Sequence, residues 1–368
     1  MQCTEQKWLS TDEYLEKFIT MARQRRIPLS GSLEITSRCN LKCVHCYLGP
    51  QDERQRRGYR EMSAERILDI IDEITDAGCL YLLFTGGEPL LRDDFPRIYS
   101  RAKERGLLVT VFSNGTLVND KVAGMFRDLP PHEVEISLYG STAPTYERIT
   151  GVRGSYKKCM HGIKLLVDNK IKVNLKTILM TLNSHELPGM ENIAKEFGSR
   201  FRFDAAICPS FGGDKTPLKL RLSPEEVVDM EFADDKRVRQ WKKFFEESKE
   251  HVLTDDLYGC GAGVTGFHID PSGNLQPCLM VLDIWYNLYE TGFLEGWKDM
   301  ISRIRDRKAG PDFPCKGCEK INLCGYCPAF FRLENGAEDV RSEYICRMGD
   351  LRYQRIKNHP LEGANYDS

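Results

Sequence analysis

Three cysteines lie within eight residues, Cys39-x3-Cys43-x2-Cys46, and seven more lie between Cys260 and Cys346 of a 368-residue chain that holds fourteen. Thiolates are soft ligands suited to zinc and to iron–sulfur clusters. They can also pair as disulfides, but the opening residues, Met1 to Lys17, are mixed polar and acidic with no apolar signal core. No window approaches the ~18 uninterrupted apolar residues of a membrane span. The expected location is therefore the cytoplasm, where thiols stay reduced, and ligation explains the cysteines better than a disulfide framework does. Structural zinc wants four closed ligands, and Cys39, Cys43 and Cys46 offer three, which would leave one iron of a cubane without a protein ligand. The later pair Cys315-x2-Cys318 and Cys324-x2-Cys327 also suits a zinc knuckle when taken alone.

Such thiols need a scaffold. From residue 31 to 207, apolar runs expected to be strands alternate with amphipathic helical stretches. The strand candidates are Ser32–Thr36, Leu80–Thr85, Leu107–Phe112, Glu133–Leu138, Lys172–Met180 and Arg202–Ile207. Ala64–Ala77 carries Ile67, Ile70, Ile71 and Ile74 at helical spacing behind a candidate N-cap, Ser63. Six βα units in series predict an α/β fold with a parallel sheet, open or curled into a partial (β/α)6 TIM-like barrel, with ligands at the C-terminal ends of its strands. A helical extension (1–30) precedes it and a charged helical bridge (208–255) follows. A small cysteine-rich domain (256–350) opens with a hairpin over Phe267–Leu279 around Pro271-Ser272-Gly273-Asn274, and a tail (351–368) ends the chain. With 41% hydrophobic and 29% charged residues and a formal net charge of −2, the composition is ordinary for a soluble globular protein. It gives no reason to expect nucleic acid or a membrane as partner.

The first cysteine group directly follows the first strand candidate and resembles the signature of the radical S-adenosylmethionine (radical SAM) superfamily, Cys-x3-Cys-x-aromatic-Cys, with His45 in the aromatic position. That resemblance implies a [4Fe–4S] cluster on Cys39, Cys43 and Cys46, its open iron chelated by the amino and carboxylate groups of S-adenosyl-L-methionine. Gly86-Gly87-Glu88-Pro89 looks like the family's element for the methionine amino group. Glycines allow close backbone approach and a carboxylate suits an ammonium. Ser113 and Asn114 end the third strand candidate and Ser137 the fourth, where the family places polar contacts to ribose and carboxylate. Related peptide-modifying enzymes often carry an Arg downstream to hold that carboxylate, at a position taken here by Thr150; Lys176 or Arg153 could supply the cation instead.

The C-terminal pattern, Cys260-x12-Gly273-x4-Cys278, then Cys315-x2-Cys318-x5-Cys324-x2-Cys327, then Cys346, resembles the SPASM domain, although the family's usual last spacing in the central group is x3. The resemblance implies an inner auxiliary [4Fe–4S] cluster on Cys260, Cys278 and Cys327 and an outer one on Cys315, Cys318, Cys324 and Cys346. It makes three clusters in all. The inner set is one ligand short, since the position where some relatives have a further cysteine is Gly266. Cys208 is read as a buried structural thiol, and Cys3, Cys79 and Cys159 as small hydrophobes.

Function follows from the resemblance. A radical SAM/SPASM maturase would use a 5′-deoxyadenosyl radical to take hydrogen from a ribosomally synthesised peptide and install a crosslink, thioether, epimerisation or other oxidative change. The implied partners are a precursor peptide and a flavodoxin- or ferredoxin-type electron donor. Only 38 residues precede Cys39, too few for the winged-helix leader-binding domain of many such maturases, so a separate leader-binding protein or direct recognition is expected. Leu279 after Cys278 argues against a sulfatase maturase, which has an acidic residue beside a SPASM cysteine. Arg54, Arg56, Arg57 and Arg60 could meet an acidic leader or be a solvated loop. The alternatives are a radical SAM enzyme acting on a small molecule, such as a sugar or antibiotic precursor, and a non-catalytic zinc-binding scaffold.

Overall fold

The computed structural model describes residues 10–50, 60–248 and 255–358. Six strands, β1 (Ser30–Thr36), β2 (Tyr81–Gly86), β3 (Leu108–Ser113), β4 (Glu133–Ser137), β5 (Val173–Ile178) and β6 (Arg200–Asp204), pair in parallel in chain order. The sheet stays open, as the partial barrel predicted. Crossovers run through α2 (Ala64–Asp76), α3 (Phe95–Glu104), α4 (Asp120–Asp128), α5 (Ala143–Thr150) with α6 (Ser155–Asp168), and α7 (Leu187–Glu196). The opening helix α1 spans Thr11–Arg25. Ser63 caps α2 through the amide of Arg66, and the four isoleucines at helical spacing are all buried.

Alternation along the strands divides the sheet into two faces. Leu33, Ile35, Val109, Val111, Val134, Ile136 and Leu175 join Ile67, Ile71, Ile163 and Leu166 in one core beneath the helices. The residues between them are polar or charged. Ser32, Glu34 and Thr36 on β1, Glu133, Glu135 and Ser137 on β4, and Asn174 and Lys176 on β5 share the concave face, with Phe112 of β3 and Arg202 of β6 in register. The barrel therefore has a polar lumen.

The last strand candidate was placed too late. β6 is Arg200–Asp204, and the chain leaves the sheet at Ala205, because the Asp204 carboxylate accepts from the Ala206 amide and closes a turn. The predicted bridge is α8 (Pro224–Glu231) and α9 (Asp235–Ser248).

The predicted hairpin is β7 (Gly266–Ile269) and β8 (Asn274–Gln276), its turn organised by Asp270, which accepts from the amides of Ser272 and Asn274. It does not stand apart from the barrel. β7 pairs in parallel with β1, and β9 (Tyr286–Asn287) continues the sheet beyond β8, giving the order β6-β5-β4-β3-β2-β1-β7-β8-β9. The Ser32 hydroxyl and His268 Nδ1, 2.8 Å apart, bind this junction from the lumen side. Helices α10 (Phe293–Arg305), α11 (Ile321–Cys324), α12 (Pro328–Asn335) and α13 (Glu343–Asn358) complete the C-terminal region.

Candidate functional site: three groups of thiols at and beyond the barrel mouth

Cys39, Cys43 and Cys46 lie on the loop leaving β1 at the C-terminal edge of the sheet. The loop is fastened on both sides. The amides of Lys42 and Val44 donate to the carbonyls of Thr150 and Ile149 at the end of α5, at 2.8 and 3.0 Å. At its start, Glu61 accepts from the Thr36 and Ser37 hydroxyls and the Ser37 amide. All three thiolates act electrostatically on the half-buried phenol of Tyr139, and His45 packs edge-on to that ring with centroids 4.7 Å apart. Burial holds the His45 imidazole far below its ordinary range, at about 4.

Gly86-Gly87-Glu88 ends β2 against this loop. The amides of Gly87 and Glu88 donate to the carbonyls of Thr36 and Arg38, both at 2.8 Å. A Cβ on Gly87 would lie 2.1 Å from the Arg38 carbonyl oxygen, and one on Gly86, which has φ +132°, would lie 2.3 Å from that of Thr36. The glycines are thus required by the backbone that leads to Cys39, a reason the sequence alone does not give.

Glu88 is fully buried. Its Oε1 accepts from the Ser113 hydroxyl and the Leu90 amide, and its Oε2 from the Asn114 amide. Burial raises its carboxyl to about 7 against these donors. The Asn114 side chain donates to Asn40 at 2.9 Å and reaches the Cys39 sulfur at 3.9 Å. Glu88, Ser113 and Asn114, expected as cofactor contacts, form here a buried hydrogen-bonded frame that ties the ends of β2 and β3 to the cysteine loop. Ser137 ends β4 beside Lys176 of β5.

Thr150 stands where related enzymes often carry an Arg. It is fully buried, with its hydroxyl on the Tyr146 carbonyl and the Ser155 hydroxyl, so it faces the helices and not the barrel mouth. Arg153 and Arg60 are exposed, while Arg54, Arg56 and Arg57 lie outside the described residues. Lys176 is in the lumen.

The C-terminal cysteines gather into the two expected sets. Cys260, Cys278 and Cys327 act on one another, as do Cys315, Cys318, Cys324 and Cys346. The second set lines one cavity with Pro314 and Arg341. Arg305 donates to the carbonyls of Tyr258 and Ala262, on either side of Cys260. Gly349 of α13 lets that helix close on α11, since a Cβ there would lie 2.6 Å from that of Cys324. Among the described residues, Cys79 and Cys159 are buried in the main core and Cys208 packs against its edge. Cys3 lies outside them.

The donor set fits iron–sulfur ligation. The sulfurs of Cys39, Cys278 and Cys327 accept backbone N–H bonds from Leu41, Met280 and Phe330 at 3.3–3.4 Å, the kind of bond that stabilises a thiolate. Among the described residues no three His, Cys, Asp or Glu side chains converge as a single metal ion requires. A cubane takes each thiolate on a different iron and does not need that convergence.

Sequence reasoning missed Tyr139, although it lies inside the Ser137-Leu138-Tyr139-Gly140 element. It also missed the lumen partners Phe112, Glu135 and Arg202, whose signal was the recurrence of polar residues at every second position of otherwise apolar strands.

Comparison with known proteins agrees with this geometry. Residues 33–196 match the Radical SAM superfamily. The Fe-coproporphyrin III synthase of Methanosarcina barkeri is 31% identical over 162 residues, which is 44% of this chain and 40% of that protein. The AdoMet-dependent heme synthase of the same organism is 26% identical over 80% of this chain and 90% of its own length. The PqqA peptide cyclase of Granulibacter bethesdensis is 26% identical over 91% of this chain and 96% of its own. In fold, the chain is similar to Streptococcus suis SuiB bound to S-adenosylmethionine, with TM-score 0.67 and 16% identity over 94% of this chain and 83% of that one. Three thiols at the mouth of a parallel partial barrel thus lie within residues 33–196, the part of the chain that matches the Radical SAM superfamily.

Proposed function

We propose that the protein is a radical SAM maturase of ribosomally made peptides whose C-terminal region is a SPASM-type domain holding two auxiliary [4Fe–4S] clusters. The observation that carries this reading is the gathering of ten cysteines into three groups, one at the barrel mouth and two in the C-terminal region. A match to a peptide cyclase over 91% of the chain supports the substrate class. In this reading residues 31–207 are the barrel and 256–350 the auxiliary domain, with 1–30, 208–255 and 351–368 as extension, bridge and tail.

This reading implies S-adenosylmethionine and a [4Fe–4S] cluster; when bound, they supply one-electron reductive cleavage to methionine and a 5′-deoxyadenosyl radical. This chain's residues do the rest. Cys39, Cys43 and Cys46 hold the cluster, and the frame of Glu88, Ser113 and Asn114 fixes their loop against β2 and β3. Gly86, Gly87, Ser137 and His45 border the space for the cofactor. The lumen admits the substrate and keeps its reacting carbon close to the mouth. Cys260, Cys278 and Cys327, and Cys315, Cys318, Cys324 and Cys346, would hold the inner and outer auxiliary clusters, which would supply a site for the electron left on the substrate; a flavodoxin- or ferredoxin-type protein is the electron donor.

The test is anaerobic reconstitution. About 12 iron and 12 sulfide per chain are expected from three cubanes. The Cys39/Cys43/Cys46→Ala variant should fall to about eight and lose all cleavage of S-adenosylmethionine. Incubation with short peptides encoded beside the gene, and in parallel with iron coproporphyrin, follows the mass change in each. The resemblance to heme synthases makes the second arm necessary, and a product from the porphyrin alone would overturn the peptide reading.

A further inference from the structure

The lumen contains a charged group that nothing in the mechanism above uses. Lys176 projects from β5 between β4 and β6, its ammonium 3.2 Å from Glu135 and 2.7 Å from the centre of the Phe112 ring. Glu135, itself buried, also accepts from Arg202 at 2.6 Å. One carboxylate is thus shared by two cations. An ammonium offers three N–H donors, and a single carboxylate oxygen and an aromatic face satisfy only part of that capacity. Arg202 is half exposed and has water to screen its charge, whereas the Lys176 side chain is 18% accessible. Its amine is pulled down to about 7, chiefly by burial, with Glu135 opposing the shift. A second anion would restore the full charge.

Location says where that anion comes from. Lys176 is in register with Ser137, the last residue of β4, so it stands at the barrel's C-terminal end, where ligands enter. The other position expected to serve the methionine carboxylate, Thr150, is turned into the protein interior. Arg153 is exposed beyond α5. A carboxylate entering the lumen therefore meets Lys176 as its buried cation, with the Phe112 ring as an apolar floor.

We propose that Lys176, held between Glu135 and Phe112 in the barrel lumen, is the anchor for a carboxylate group of a bound ligand, supplied either by the methionine end of S-adenosylmethionine or by an acidic residue of the peptide. The inference rests on the radical SAM maturase reading, which brings those two ligands into the lumen. Glu135 and the Phe112 ring hold the ammonium in place, and the incoming carboxylate takes the remaining donors.

Two arms separate the sources, using the reconstituted holoenzyme, Lys176→Met, and Lys172→Met as a control whose ammonium serves Glu133 at the outer edge. The first compares affinity for S-adenosylmethionine with that for its decarboxylated analogue. If the methionine carboxylate is the ligand, Lys176→Met reduces the preference about tenfold, the effect of one charge-assisted contact, and Lys172→Met leaves it unchanged. The second arm measures binding of N-acetylglutamate and N-acetylglutamine to enzyme already saturated with S-adenosylmethionine. A peptide carboxylate predicts that wild type binds the glutamate probe better and that Lys176→Met does not. A third measurement needs no variant: mass spectrometry of wild type treated with acetic anhydride should show Lys176 shielded by whichever ligand supplies the carboxylate. If neither preference depends on Lys176 and neither ligand shields it, the proposal is overturned. Loss of S-adenosylmethionine cleavage by wild type would refute the radical reading instead, so the two failures are distinguishable.

Discussion

Gly87→Ala isolates the contact that sets the position of the first cysteine. The added methyl would stand 2.1 Å from the Arg38 carbonyl oxygen and 2.9 Å from that of Ser37. Both are backbone atoms, and the loop has to retreat by about 1 Å to reach ordinary contact, which stretches the bonds from the Gly87 and Glu88 amides beyond useful length. Each bond contributes about 1 kcal/mol net, and each donor left buried costs about as much again, so the loss over the two amides is about 4 kcal/mol. For a chain of this size that lowers the melting temperature by roughly 5 °C. Cys39 moves with the loop, so iron retention after reconstitution should fall as well. Gly124→Ala is the matched control: Gly124 lies within α4 with its nearest neighbour, Arg127 Nη2, 3.8 Å away, and the change should stabilise by up to ~1 kcal/mol. Thermal melts and iron assays on both variants decide the matter. A Gly87→Ala protein that melts like wild type and keeps its iron would refute the close-packing argument.

Three further outcomes are expected. Thr150→Val removes a buried hydroxyl that serves Tyr146 and Ser155; it should cost about 1–2 kcal/mol in denaturant titrations while leaving S-adenosylmethionine affinity unchanged, and weakened affinity would return Thr150 to the binding site. Burial lowers the His268 imidazole to about 3, below the 6.5 of the unfolded chain. The unfolded state therefore gains the proton first as pH falls, and stability should drop from pH 6.5 towards 3, with the slope reduced in His268→Gln; an unchanged slope across pH 4–6 would exclude His268 as its source. In Cys346→Ala protein that keeps its barrel cluster, 5′-deoxyadenosine should still form without product peptide. Normal product yield would make the outer cluster dispensable for electron removal.

The chemistry-bearing residues were legible because their types and spacing are local. Three thiols on one loop after a strand, a Gly-Gly-Glu element at the next strand end and Cys-x2-Cys pairs need no long-range knowledge, and six apolar strands alternating with helices imply a parallel sheet. The end of β6 was misread because apolar Ala205, Ala206 and Ile207 continue the strand composition, while the Asp204 side chain that ends it acts through a turn. Tertiary structure alone decided which face each residue serves and what lies opposite. Glu88 became part of a buried frame because β2 and β3 end side by side around the cysteine loop. Thr150 turned inward because α5 packs its last turn on α6 and lends its carbonyls to Lys42 and Val44. The hairpin of the cysteine-rich region joined the barrel because β1 has an open edge, and unpaired strand groups seek hydrogen-bond partners from any part of the chain. Glu135, Lys176 and Arg202 are far apart in sequence, and only the parallel register of β4, β5 and β6 brings two cations to one carboxylate.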